Sequence, residues 1–140
     1  GFFRKTPPVA AGAQQVQPNT LCTMTPHYKI KDWSVAQPLM QSILNKSNLE
    51  PGCTYFGWAK GDDKLHSKEQ FVNGAALEAH VAAVKPLMDA LVSSDAVTLE
   101  HMEITGPSAE VEKVKHLVAD LKPEILTLEQ EGPSLVEASA

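Results

Sequence analysis

Apolar and polar positions along this chain change period several times, and each change marks an element. Residues 21–30 place Cys22, Met24, Tyr28 and Ile30 on one parity, the period of a strand, and Pro26 in their midst predicts a bulge or an edge position. Ser34 then reads as the N-cap of a helix reaching about Lys46, with Val35, Leu39, Ile43 and Leu44 as its apolar stripe and Pro38 tolerated near the start. Glu50, Pro51 and Gly52 break it. Residues 53–59 and 64–71 are two extended runs around the turn residues Gly61, Asp62 and Asp63, which together predict a hairpin. Asn73 is placed to cap a second helix in which Leu77, His80, Val81, Val84, Met88 and Leu91 recur at helical spacing, so His80 is aimed at the sheet and Pro86 predicts a kink. Residues 96–105 form a fourth strand, stopped by Gly106 and Pro107. Ser108 is expected to cap a third helix carrying Val111, Val114, Leu117, Val118 and Leu121, and residues 125–128 a last strand after Pro123.

The predicted order is βαββαβ followed by αβ, an α+β class whose first six elements match a ferredoxin-like sandwich with both helices on one sheet face. Strict alternation along two strands gives an unexpected result. Tyr55 falls on the opposite parity to Phe56 and Trp58, and Val97 and Leu99 on the opposite parity to Met102 and Ile104. Apolar side chains on both faces call for a second cover, which a sheet-to-sheet homodimer would supply.

Composition narrows the partners. Twelve Lys and Arg against seventeen Asp and Glu give a net charge of −5, with the basic residues scattered, which argues against nucleic acid. No apolar run approaches the roughly 18 residues of a membrane span, so a soluble protein is expected, cytoplasmic or organellar after removal of a targeting segment. Length fits one folded unit over residues 19–130, between an N-terminal arm of 1–18 rich in Pro and Gln and a fraying tail of 131–140. Cys22 and Cys53, both in strands and without metal spacing, read as buried free thiols.

Four segments then carry a resemblance: TLCTMTPHYKIK at 20–31, EPGCTYFGWAKGDDKLHSKEQF at 50–71, AALEAH at 75–80 and EITGP at 103–107. Across residues 19–130 the chain resembles the antibiotic-biosynthesis-monooxygenase-like (ABM) domains of the dimeric α+β barrel superfamily, and within them a functionally unassigned subgroup. The resemblance implies ferredoxin-like subunits paired sheet to sheet. It also implies an activity that needs no metal or flavin, in which polar side chains help deprotonate a phenolic or quinol substrate before oxygen attacks. The haem-degrading members pair a tryptophan and a helix histidine with an asparagine on the first strand, and residues 21–30 contain none.

Such chemistry needs a base and donors for the developing anion, and His80 is the expected catalytic residue on periodicity. Tyr28, Tyr55, Trp58, Glu69 and His101 are the expected substrate-binding companions. Glu69, between Lys68 and Gln70, reads as half-exposed, His66 as solvent-facing, and His101 shares the parity of Val97 and Leu99 that points inward. No phosphate-cradling glycine loop and no Cys or His at sequence ligand spacing occurs, so no cofactor and no metal are expected. Two functions fit: a small cofactor-independent monooxygenase acting on an aromatic or quinol-type molecule, or a non-catalytic dimeric binding or assembly module of the same fold.

Overall fold

In the computed structural model, which describes residues 19–129, a five-stranded sheet carries its helices on one side. The elements are β1 (Cys22–Ile30), α1 (Trp33–Asn48), β2 (Cys53–Lys60), β3 (Lys64–Phe71), α2 (Gly74–Ser93), β4 (Val97–Gly106), α3 (Ser108–Val111), α4 (Lys115–Val118) and β5 (Glu124–Thr127). Sheet order is β2-β3-β1-β4-β5; the first four strands are antiparallel and β5 runs parallel to β4. The ferredoxin-like expectation therefore holds, with β5 added at the edge. The expected arm and tail lie outside the described residues, among which no helix is long and apolar enough to cross a membrane.

Local chemistry explains the boundaries. α1 begins two residues earlier than Ser34 suggested, because Asp32 is the cap and accepts the Val35 amide. α2 starts where expected, its Ala76 amide donating to Asn73 Oδ1 at 2.8 Å. The third helix is not continuous: the amides of Lys113, Val114 and Leu117 donate to carbonyls three residues back, tightening the segment into two short helices and a final 3-10 turn at Ala119–Leu121. Val111, Val114 and Val118 are nevertheless buried, as their spacing predicted. Lys122, in the left-handed region at φ 49°, turns the chain before Pro123 and into β5.

Pro26 stands in the central strand, not at an edge, and the bulge it suggested lies beside it. Between Tyr28↔Leu99 and His27↔His101, β4 carries one extra residue, Glu100. A second bulge at Thr54 separates Cys53↔Phe71 from Tyr55↔Gln70. These two residues overturn the two-faced reading of the strands. Each bulge resets parity, so Val97, Leu99, Met102 and Ile104 all face the helices, as do Cys53, Phe56 and Trp58. Glu100 also turns His101 outward, against the inward expectation. The far face is largely polar: Thr23, Thr25, His27, His66, Lys68, Gln70, His101 and Glu103 line it, with Tyr55 and Leu126 as its exposed apolar side chains.

Candidate functional site

His80 lies on the buried face of α2, one turn beyond Leu77 and beside Val81, and has no exposed surface. Gly74 lets the helix start this close to its neighbour, since a Cβ there would come within 2.0 Å of the Glu110 carbonyl oxygen. Two carboxylates bracket the imidazole. Glu50, from the turn between α1 and β2, receives Nδ1 at 2.9 and 3.1 Å, and Glu69, from β3, places Oε1 2.9 Å from Nε2. The second contact is short but the ring N–H is poorly aligned with it, so it acts as an ion pair more than as a directed hydrogen bond. The Phe71 ring packs 4.7 Å from the imidazole and Phe56 5.8 Å, closing off water.

Burial by itself pulls the His80 pKa down, but the hydrogen bond to Glu50, the close contact with Glu69 and the charge of both carboxylates outweigh it and raise the pKa to about 9. The ring is therefore an imidazolium at neutral pH, a proton donor and positive charge with neither nitrogen free to accept. Glu69 is not half-exposed. It shares the core-facing parity of Leu65, Ser67 and Phe71, is 4% exposed, and its Oε2 accepts the Ser67 hydroxyl at 2.5 Å. Beside it on the core face, the Trp58 indole N–H is buried and has no acceptor among the described residues.

Tyr28 is buried on the same side of the sheet, its ring 6.5 Å from that of Trp58, and burial followed by the Glu69 charge pushes its hydroxyl pKa up. It forms part of the wall of a cleft of about 390 Å³ between sheet and α2, with Met88, Asp89, Leu99, Asp120 and Leu121 among the other lining residues. His80 does not line this cleft; Met88 stands eight residues further along α2, about 12 Å at helical rise. Four of the expected site residues, His80, Glu69, Trp58 and Tyr28, thus lie on the helix side of the sheet. Tyr55, 58% exposed, and His101 lie on the opposite face and do not meet them. Glu50 and Ser67 have no signal in the sequence beyond the parity of Ser67, yet complete the cluster.

On that far face His101 faces His27 across β1 and β4, and His27 faces His66 across β1 and β3, with the His27 and His66 rings stacked at 3.9 Å. Burial and the adjacent imidazoles hold His27 below the ordinary histidine range.

No family model and no curated protein matches this chain. Solved structures do. MupZ from Pseudomonas fluorescens superposes with a TM-score of 0.76 at 22% identity, covering 88% of this chain and 96% of MupZ. The likeness is one of fold. SnoaB, a cofactor-independent oxygenase from Streptomyces nogalater, matches at TM-score 0.53 and 12% identity over 61% of this chain and 90% of its own. Rv0793 from Mycobacterium tuberculosis matches at 0.56 and 13%, over 63% and 95%. The architecture shared with them is a ferredoxin-like α+β subunit.

Proposed function

We propose that this protein is a small cofactor-independent oxygenase acting on an aromatic or quinol-type molecule, with the Glu50–His80–Glu69 cluster as its proton-handling centre. The observation that carries the reading is a charged imidazole buried between two carboxylates in a small core. Packing alone gives no reason for it, because apolar residues of similar volume usually serve stability as well or better, whereas strongly shifted groups gather at functional sites. Glu69 takes the proton from an activated C–H or O–H of the substrate. His80, already protonated, contributes the compensating positive charge, and the Trp58 N–H is an available donor to the oxyanion. For a CH₂ activated by neighbouring rings, the resulting carbanion gives its electrons to O₂. The hydroperoxide formed at that carbon then loses water, so that CH₂ plus O₂ yields C=O plus H₂O. The fold shared with an oxygenase supports the same class. We include sheet-to-sheet pairing of two copies in the proposal, since among the described residues no helix covers the far face and Tyr55 and Leu126 stand exposed on it.

Oxygen uptake with a panel of anthrones and hydroquinones tests the activity. Wild type should consume oxygen and form the quinone, with water as co-product from anthrones and hydrogen peroxide from hydroquinones, and Glu69→Gln should slow turnover by roughly 10²–10⁴-fold, the usual worth of a positioned acid–base group. A second reading, a binding or assembly module without catalysis, is favoured by one feature: His80 has both nitrogens engaged and does not border the cleft at Tyr28. Wild type that binds such aromatics without consuming oxygen selects that reading.

A further inference from the structure

The sheet face away from the helices holds a second cluster, unrelated to the core chemistry. His101 Nε2 lies 3.4 Å from Glu124 Oε1 and 3.9 Å from Glu103 Oε1, and His27 Nε2 lies 3.7 Å from Glu103 Oε2. Donor atoms of His101, Glu103 and Glu124 all fall within 4.8 Å of one another. We propose that His101, Glu103 and Glu124 form a binding site for a divalent first-row metal ion of the Zn²⁺ type, with His27 adding a second imidazole.

Three features support it. The spacing suits three of the four residues: ligands at about 2.0–2.2 Å from a tetrahedral Zn²⁺ stand roughly 3.3–3.6 Å apart, and the donor atoms of His101, Glu103 and Glu124 already lie within 4.8 Å of one another, while His27 approaches Glu103 at 3.7 Å. The backbone fixes the set, because antiparallel pairing sets His27 opposite His101, parallel pairing sets Glu103 beside Glu124, and the Glu100 bulge turns His101 and Glu103 to the same face. The charge is unbalanced, since among the described residues neither Glu103 nor Glu124 has a lysine or arginine partner, only the histidines. Mixed imidazole and carboxylate donors favour Zn²⁺, Co²⁺ or Ni²⁺ over Mg²⁺ or Ca²⁺, which take oxygen ligands. In a single copy these side chains are 29–54% exposed.

Titration of the full chain with Co²⁺, followed by its visible absorption, and with Zn²⁺ by calorimetry tests the site. One equivalent should bind, and His101→Ala, Glu103→Gln and Glu124→Gln should each weaken binding at least about tenfold, since even outer-shell changes cost that much. His116→Ala, an exposed histidine on α4, should leave it unchanged. Glu124→Gln is on the exposed edge strand and tests the site without disturbing the core. No binding, or binding that survives His101→Ala and Glu124→Gln undiminished, overturns the proposal.

Discussion

The protonation state of His80 makes the sharpest prediction, because it couples the cluster to stability. The His80 pKa rises from an unfolded value of 6.5 to about 9 in the folded protein. The native state therefore holds this proton more tightly than the unfolded chain. Its stabilising contribution is complete below about pH 6.5 and is lost as pH climbs through about 9. At roughly 1.4 kcal/mol per unit, the shift is worth about 3 kcal/mol, which at an m-value of about 1.5 kcal/mol/M moves the urea midpoint by about 2 M. Urea unfolding of wild type and His80→Gln between pH 6 and 10 isolates the effect, since the lysines whose pKa values are also raised, Lys64 and Lys85, cancel in the difference. Across pH 7–9.5 wild type should lose stability that the variant does not, the gap between the two curves closing as pH rises. The variant leaves Glu69 buried without its cation, which costs about 3–5 kcal/mol, so an NMR titration of wild type accompanies it. The His80 ring resonance should titrate near pH 9. Titration below pH 7, or parallel stability curves for the two proteins, would refute the imidazolium and with it the electrostatic role assigned to His80.

Two further outcomes check the packing and the pairing. Gly74→Ala should cost about 1–3 kcal/mol, because its Cβ would meet the Glu110 carbonyl oxygen and carbon, backbone atoms that cannot rotate away; Gly61→Ala, whose nearest new neighbour is Lys64 Cβ at 4.0 Å, should stay within about 0.5 kcal/mol of wild type in thermal unfolding. Sedimentation at micromolar concentration should give about twice 15.1 kDa, and a monomer there would remove pairing from the proposed function.

What the sequence made legible was whatever depends on period within one element. The α2 stripe placed His80 correctly because helical spacing fixes a face regardless of what packs on it, and Asn73 capped that helix as its side chain requires. What depends on a partner strand was not legible. A bulge is a mismatch between two strands, so nothing in residues 97–106 alone announces that Glu100 is the extra one. Glu69 was within reach, since Leu65 and Phe71 share its parity, but the ordinary cost of burying a carboxylate points the other way until a cation is known to sit beside it. That cation comes from a helix 11 residues later and its second anion from a turn 30 residues earlier, contacts that only the fold creates.

The Glu100 bulge ties both sites to one residue. Without it, strict alternation from Val97 would send His101 and Glu103 into the core and Met102 and Ile104 out to water. With it, Met102 and Ile104 complete the apolar layer beside the His80 cluster, while His101 and Glu103 turn to the open face opposite His27. A single inserted residue thus separates an apolar core from a polar cluster on the same strand. The residue itself is held in place from outside, its carboxylate accepting a hydrogen bond from Lys64 of β3 at 2.8 Å, and this ion pair keeps the Glu100 pKa below its ordinary value. The burial of Met102 at 1% and Ile104 at 0% fixes the phase of the strand more firmly than an exposed ion pair does, so the register rests on the core and the far-face cluster follows from it.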